Sequence, residues 1–459
     1  MNTTRKTGAL VLAAGKGTRM KSSKPKVLHT LLGEPMLWYV HRALEVLSLS
    51  SITTVIGHGA DQVRRAFAEL TDDAFVLQTE QRGTGHALQE AWPALKKQQL
   101  DAVLVANGDT PLVPAARLRQ LVEESEARNA DIAFLTISLD KPGAYGRVIR
   151  DENGFAKAIV EAKDFHPEDH GGEVHEINAG IYWLNMERVP PLLGQLNNNN
   201  ASGEFYITDL VALGVQQGLT VLAVDGGTDP GLLGVNSPAE LVRSEELLRA
   251  QIVDGLLDSG VLVHNPAAAF IGPKAEIEPG CELFGPLEIY GKSRISGETC
   301  VQSHCRIDNS VIGAGSIIKA FTHLENAQVD ASCQVGPYTR LRPSAHVCDG
   351  AKVGNFVEMK KSTLGKGSKA SHLTYLGDAQ VGKDVNIGAG TITCNYDGKN
   401  KYTTVIGDES FIGSNTSLVA PVEIGAKALV GAGSVITHNV SENSLGITRA
   451  KQKELPRRK

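Results

Sequence analysis

What this chain has little of narrows its class before any motif is read. A formal net charge of -5 over 459 residues leaves no basic excess for wrapping nucleic acid. The longest apolar runs, about ten residues or fewer, are too short to span a bilayer, so a soluble protein with neither a membrane nor a nucleic-acid partner is expected. Cysteine is scarce: there are six, all between Cys281 and Cys394, with no Cys-x-x-Cys pair and no histidine at zinc-finger spacing. Reduced structural thiols in a cytoplasmic protein are the expectation. No secretory leader is expected either. Arg5 and Lys6 do precede an apolar stretch at 9–14, but that stretch is shorter than a comfortable h-region and runs into a glycine loop that cleavage would remove.

That loop is the most informative feature present. Leu12-Ala13-Ala14-Gly15-Lys16-Gly17-Thr18-Arg19-Met20 follows an apolar run that reads as a buried strand, and Pro25-Lys26 comes next. Glycines spaced by one residue let backbone N–H groups approach an anion, while Arg19 and Lys26 add positive charge. A P-loop is excluded because no Gly-Lys-Ser/Thr stands four residues after the first glycine. A dinucleotide fingerprint fails because Met20 occupies the place of its third glycine or alanine. The full pattern resembles the signature of sugar-nucleotide pyrophosphorylases, which join a sugar 1-phosphate to a nucleoside triphosphate.

The chain exceeds the size at which single cores stop growing, so more than one domain is expected. Residues 1–236 alternate short apolar runs with amphipathic segments, the pattern of an α/β domain. Strands are expected at 9–13, 53–56, 75–77, 102–105, 132–137 and 177–183, with helices such as 37–47 and 115–124 between them. In a doubly wound, mostly parallel sheet, ligands sit beyond the carboxyl ends of strands. The Gly15 loop and Asn107-Gly108-Asp109 would both lie there. Ser237-Pro238-Ala239-Glu240 is a capping box with proline at the first helical position. It opens a linker helix, 237–259, whose Leu241, Leu248, Ile252 and Leu256 should lie against a domain face.

From 260 to 459 the period becomes six. Ile271, Ile277, Leu283, Ile289, Ile295, Val301 and Ile307 form one tract; Val329, Val335, Leu341, Val347 and Val353 a second; Ile406, Ile412, Leu418, Ile424, Val430 and Ile436 a third. Such a period marks a parallel β-helix, in which one short strand per repeat stacks an aliphatic into a continuous column. Gly272, Gly336, Gly354, Gly407, Gly413, Gly425 and Gly431 directly follow column residues and read as turn positions. The repeats resemble those of the left-handed β-helix acyltransferases, which are usually trimers. The register breaks between Ile392 and Ile406 at the polar stretch 393–400, which a solenoid can accommodate only as a projecting loop.

Nucleotidyl transfer brings one anion to another, so the site must supply cations and hold three atoms in line. Asp109, just after a strand, is a candidate ligand for Mg²⁺, which takes only one or two protein ligands. Acetyl transfer from a thioester needs a neutral amine and therefore a base, and His372 in Lys369-Ala370-Ser371-His372-Leu373-Thr374-Tyr375 is the candidate.

Several further segments stand in order along the first half: Gln78 in Leu77-Gln78-Thr79-Glu80-Gln81, Gly83-Thr84-Gly85-His86-Ala87, Gly108-Asp109, Tyr145-Gly146-Arg147, Glu161, Ile177-Asn178-Ala179-Gly180 and Gly234-Val235-Asn236. The second half adds Arg342-Pro343, Phe356-Val357-Glu358-Met359-Lys360-Lys361, and Asn386 followed by Gly388-Ala389-Gly390. Together they resemble the family of bacterial bifunctional N-acetylglucosamine-1-phosphate uridyltransferases/glucosamine-1-phosphate N-acetyltransferases. The resemblance implies an α/β Rossmann-like nucleotidyltransferase domain followed by a left-handed parallel β-helix (hexapeptide repeat) domain. It also implies synthesis of UDP-N-acetylglucosamine, a cell-wall precursor, by a homotrimer whose partners are UTP, sugar 1-phosphates and acetyl-CoA.

By the same resemblance Leu12, Ala13, Ala14 and Gly15 bind the nucleotide, and Gln78, Gly83 and Thr84 read the uracil. Gly146, Glu161 and Asn178 hold the sugar, and Asp109 and Asn236 ligate Mg²⁺. Arg19 and Lys26 stabilise the pyrophosphate and the sugar phosphate. One departure is Asn107, where relatives often carry tyrosine. In the second half the resemblance assigns the sugar phosphate to Arg342 and Lys360, and the rest of the sugar and acetyl-donor pocket to Tyr375, Asn386, Asn395 and Tyr396. Ala389, Ser414, Ala432 and Arg449 follow along the coenzyme A path. The basic run Lys451, Lys453, Arg457, Arg458 and Lys459 reads as a solvated tail. The competing reading is a single-function pyrophosphorylase whose β-helix only trimerises.

Overall fold

In a computed structural model of the chain, residues 5–457 are described; Arg458 and Lys459 of the basic run lie outside them. The chain divides into two compact units, 1–246 and 247–459. The division falls within the helix Pro238–Asp258. Among the described residues no helix is long and apolar enough to cross a membrane.

The first unit is built on a mixed sheet. Its strands are β1 (Thr7–Ala13), β2 (Ile52–Ile56), β3 (Phe75–Leu77), β4 (Ala102–Asn107), β5 (Ile132–Ser138), β6 (Arg147–Arg150), β7 (Ala156–Val160), β8 (Glu176–Asn185) and β9 (Val221–Asp225). The main path runs β9-β5-β8-β4-β1-β2-β3. β1 is the innermost functional strand: it pairs parallel with β2 and β4, and Ala9, Leu10 and Val11 are fully buried, as a strand covered on both faces requires. Because β1 and β4 are parallel neighbours, the Gly15 loop and Asp109 leave the sheet at the same edge. β8 is antiparallel to both β4 and β5, which makes the sheet mostly parallel. The hairpin of β6 and β7, which alternation alone did not reveal, joins the sheet through β8.

Within the first unit the capping box forms and does more than start a helix. The Glu240 backbone N–H donates to Ser237 Oγ at 3.3 Å, and the Glu240 carboxylate accepts from the Ser237 hydroxyl at 3.0 Å and from the Asn236 N–H at 2.7 Å. The helix start therefore holds Asn236. In the second unit Leu248 and Val253 of the same helix are buried, with Ile252 and Leu256 packed beside them on the repeat core.

The second unit is a three-faced left-handed parallel β-helix. Two faces share a 19-stranded sheet, because Lys352–Lys360 and Lys369–Gly377 run around a corner, and the third face has nine strands. Leu283 pairs with Val301, eighteen residues on, and Ile295 with Ile312, seventeen on. All expected column residues except the partly buried Ile277 are at most 3% exposed. At about 1.5–3 kcal/mol for each fully buried aliphatic, the column supplies the main stabilisation of a unit with little else to bury.

Two expectations need correction. The three tracts are one continuous column, carried between them by Ile312, Ile318, Leu324, Met359, Leu364, Ala370, Leu376, Val381 and Ile387, all buried. Five-residue steps, such as Ile307 to Ile312, shift the phase without interrupting the stack. Thr393, expected to open the projecting stretch, is instead a buried core position, while Ile392 beside it is 46% exposed. The Thr393 hydroxyl accepts from the Gly377 N–H at 2.8 Å and donates to the Gly377 carbonyl at 3.0 Å, so this buried hydroxyl is paired.

The glycines after column residues, Gly336 apart, are also not in the left-handed region. Asn309, Asn326, Ser344 and Asn415 are among the corner residues that take it. Glycine is needed for close approach instead: a Cβ on Gly354 would lie 1.9 Å from Ser371 O, and one on Gly413 would lie 2.4 Å from Ala432 N. The stretch after Thr393 does project. Val381 pairs with Ile406, twenty-five residues on, and the excess forms a loop closed by a bridge between Tyr396 and Lys401.

Candidate active sites

In the first unit a cleft of about 550 Å³ opens at the ends of β1 and β4. Leu12, Ala13, Ala14, Gly15, Arg19, Lys26, Gln78, Gly83, Thr84, Asp109 and Asn236 all line it. The loop glycines do different jobs. Gly15 has nothing within 4 Å of a built Cβ, so its backbone faces open space, whereas a Cβ on Gly17 (φ +60°) would lie 2.6 Å from Lys26 Cβ. Gly17 thus lets the second cation pack under the loop.

Gly83 (φ +111°) is held against Phe205, whose carbonyl would be 2.4 Å from a Cβ there. The buried Gln78 donates from Nε2 to the Gly83 carbonyl at 3.2 Å, and Thr84 Oγ1 accepts from the Ile207 N–H at 3.1 Å. Asn107, the departure from the family pattern, lines the same cleft, and its amide would meet a Cβ on Gly180 at 2.3 Å.

The charged centre is compact. The Lys26 ammonium donates to Asp109 Oδ2 and, at 2.8 Å, to Asn236 Oδ1; Arg19 donates to the same Asn236 oxygen at 2.7 Å. Asp109 and Asn236 thus present hard oxygen donors to one cation. This is the donor chemistry Mg²⁺ selects, and two protein ligands are what it takes when phosphates fill the remaining positions.

Gly146, Glu161 and Asn178 form a second group. The Asn178 N–H donates to the Gly146 carbonyl at 2.9 Å. Both Glu161 carboxylate oxygens lie 3.5 Å from where a Cβ on Gly146 would stand, so a side chain there would fill the space beside Glu161. Burial pushes the Glu161 carboxyl above its ordinary value, against the lowering effect of the Thr208 hydroxyl bonded to it at 3.1 Å. Tyr145 ties this group to the cation centre: its hydroxyl donates at 3.2 Å to the carbonyl of Gly234, whose built Cβ lies 3.4 Å from Asp109 Oδ1.

In the second unit the site residues fall on register positions. Asn355 pairs with His372 across adjacent coils. Gly390 N bonds Leu373 O, Asn415 N bonds Ala389 O, and Gly433 N bonds Ser414 O. His372, Ala389, Ser414 and Ala432 are therefore equivalent positions of successive coils along one corner, and a Cβ on Gly433 would lie 3.8 Å from Arg449 Cδ. Asn386 pairs with Lys369 on the adjoining face.

His372 is exposed, and its Nδ1 lies 2.8 Å from Asn355 Oδ1. An amide oxygen only accepts, so Nδ1 carries a proton, and in the neutral ring the lone pair is on Nε2. Sequence reasoning missed Asn355. The signal was the seventeen-residue spacing to His372, visible only once the coil length is known.

Arg342, Lys360 and Tyr375 lie at the far end of the neighbouring face. Arg342 donates to Glu358 at 2.8 Å, and Glu358 pairs with Tyr375. Lys401, then Arg342, hold the Lys360 ammonium below the ordinary lysine range; Lys401 was not anticipated. Asn395 is buried and donates to Asp378, whereas Tyr396 is 60% exposed on the projecting loop. Within one chain the structure groups these residues with one another and sets His372 on the corner.

Comparison with known proteins places both units. The model of the MobA-like NTP transferase domain matches residues 9–153, and that of the bacterial transferase hexapeptide (six repeats) matches residues 403–438. Along its whole length the chain is similar to proteins named bifunctional protein GlmU. It is 57% identical to that of Nitratidesulfovibrio vulgaris (strain DSM 19637 / Miyazaki F) over 99% of both chains. It is 46% identical to that of Lawsonia intracellularis over 98% of both, and 43% identical to that of Burkholderia vietnamiensis over 96% of both.

Proposed function

The chain belongs to the family of bifunctional GlmU proteins, and on that premise we propose how its two sites divide the synthesis of UDP-N-acetylglucosamine. It is an enzyme with transferase activity in both units. The β-helix moves an acetyl group from acetyl-CoA to glucosamine 1-phosphate. The α/β unit then joins the product to the uridylyl group of UTP, releasing pyrophosphate. The observation that carries the reading is the convergence of Arg19, Lys26, Asp109 and Asn236 in one half and the register column from His372 to Ala432 in the other.

In the first site Gln78, Gly83 and Thr84 form the rim that reads the base, and Gly146, Glu161 and Asn178 cradle the sugar. Asp109 and Asn236 would hold Mg²⁺, which when bound neutralises the triphosphate. Lys26, which lies between those two residues, would with the metal in place direct its charge to the phosphates. Arg19 stands beside it to stabilise the leaving pyrophosphate.

In the second site His372 Nε2 accepts a proton from the amine as its nitrogen attacks the thioester carbonyl. A C–N bond forms, the C–S bond breaks, and the imidazolium returns the proton to the departing thiolate. Arg342 and Lys360 hold the sugar phosphate, Tyr375, Asn386, Asn395 and Tyr396 complete the pocket, and Ala389, Ser414, Ala432 and Arg449 line the coenzyme A path. Because His372 is open to solvent in one chain, the pocket is completed by neighbouring copies in a homotrimer, the usual assembly of hexapeptide prisms. Both reactions use cytoplasmic metabolites.

Supplying glucosamine 1-phosphate, acetyl-CoA, UTP and Mg²⁺ together should release both free thiol and pyrophosphate. Pyrophosphate appearing only when N-acetylglucosamine 1-phosphate is supplied ready-made, with no thiol released, would show that the β-helix is a scaffold.

A further inference from the structure

The nine-strand face of the β-helix carries a cluster that neither transfer reaction uses. One ligand atom each of Asp330, His346 and Cys348 lies within 4.8 Å of the other two, and all three residues are partly exposed. They sit on adjacent coils: Val329 pairs with Val347, which puts Asp330 level with Cys348, and Gln328 pairs with His346. His346 Nε2 is 2.8 Å from Asp330 Oδ2 and 3.9 Å from Cys348 Sγ.

The surroundings hold these atoms in place. Gln328 Nε2 donates to Asp330 Oδ1 at 2.8 Å, leaving Oδ2 turned toward the imidazole. The main chain is bonded on both coils, Asp330 N to Val347 O at 2.8 Å and Cys348 N to Leu364 O at 2.9 Å. The fully buried Cys333 is directed elsewhere, donating to the Cys348 carbonyl at 3.1 Å.

We propose that Asp330, His346 and Cys348 form a three-ligand binding site for zinc, bridging two successive coils, with water as the fourth ligand. One sulfur, one imidazole nitrogen and one carboxylate oxygen form a set that favours zinc over magnesium or calcium, which prefer oxygen alone. Zinc bonds of about 2.0–2.3 Å in a tetrahedron separate donor atoms by roughly 3.3–3.8 Å. The three atoms here reach that spacing through small side-chain rotations on a fixed backbone. The Gln328 bond to the distal carboxylate oxygen is the outer contact that orients a ligand. Burial, with Asp330 and Asp349, raises the Cys348 thiol. On binding, the S–H bond breaks, its proton leaves to solvent and a metal–sulfur bond forms; the imidazole proton, which in the free site is donated from Nε2 to Asp330 Oδ2, passes through solvent to Nδ1, so that Nε2 offers its lone pair to the metal.

The test is a Co²⁺ titration of the full-length, reduced, metal-stripped protein, followed by absorbance. The expected result is one Co²⁺ per chain, with a near-ultraviolet thiolate charge-transfer band and visible bands of tetrahedral Co²⁺, both abolished by added Zn²⁺. Cys348→Ser should remove the charge-transfer band. His346→Ala and Asp330→Asn should each weaken binding more than tenfold, and Gln328→Ala about tenfold. Absence of the thiolate band in the unaltered protein overturns the proposal, as does a band that survives Cys348→Ser. Unchanged affinity in Asp330→Asn, a near-isosteric change that keeps the fold, reduces the cluster to an ion pair beside a thiol and overturns it too.

Discussion

The two units place chemistry by opposite means. In the α/β unit the Arg19 guanidinium and the Asn236 amide meet at 2.7 Å although 217 residues separate them. Strand order and crossover connections bring the two together, and local sequence says nothing of the contact. In the β-helix, Asn355 meets His372 at 2.8 Å because seventeen residues make one coil. Position along the chain is there a map of position in space. A parallel sheet can therefore wall a cleft within one chain. A prism instead sets its functional residues on outer edges, where they remain open until something covers them.

The sharpest way to break this comparison is to remove one centre and read both reactions. Asp109→Ala removes the carboxylate proposed to hold Mg²⁺, an effect worth several kcal/mol at the transition state, so uridylyl transfer should fall about a thousandfold or more. Acetyl transfer, followed by thiol release in the same preparation, should not change. His372→Ala should do the reverse, lowering acetyl transfer by about 10²–10⁴ while pyrophosphate release persists. If either variant impairs both reactions equally, the two centres are not independent.

Dilution sharpens the contrast. If the prism edge needs a neighbouring copy, acetyl-transfer activity per chain should drop several-fold as the protein is diluted through its dissociation range, measured beside sedimentation velocity. The cleft reaction, walled by one chain, should hold constant. Equal loss of both would place the cleft under control of assembly as well.

The smallest expected effect concerns the imidazole. Asn355→Ala removes one hydrogen bond to His372, worth about 0.5–1.5 kcal/mol, so acetyl-transfer kcat should fall up to about tenfold. A tautomer-fixing role also predicts a shifted pH–rate profile, which loss of packing alone would not produce. An unchanged profile with raised KM would make Asn355 a substrate contact.

Much of the fold was legible because both periods are physical requirements. The run at β1 is apolar without alternation because the strand is covered on both faces, and the six-residue spacing follows from stacking one aliphatic per strand. The part that stayed hidden has equally definite causes. Ala370 and Thr393 hold column positions without being large aliphatics, and five-residue steps break the count, so one column looked like three. The hairpin of β6 and β7 carries too little alternation to announce itself. Asn355 and Lys401 could not be singled out from a chain rich in polar residues, since only their neighbours across coils mark them.

Sequence by itself determined the two architectures, the glycine loop, the helix cap and the family, because each depends on local periodicity or on residues close together in the chain. Only the tertiary structure decided which groups face one another: Lys26 between Asp109 and Asn236, Gln78 under Gly83, Asn355 on His372, and Asp330 beside His346 and Cys348. Charge neutralisation, tautomer choice and metal affinity all depend on distances of a few ångströms between segments far apart in the chain, and packing of the whole unit sets those distances.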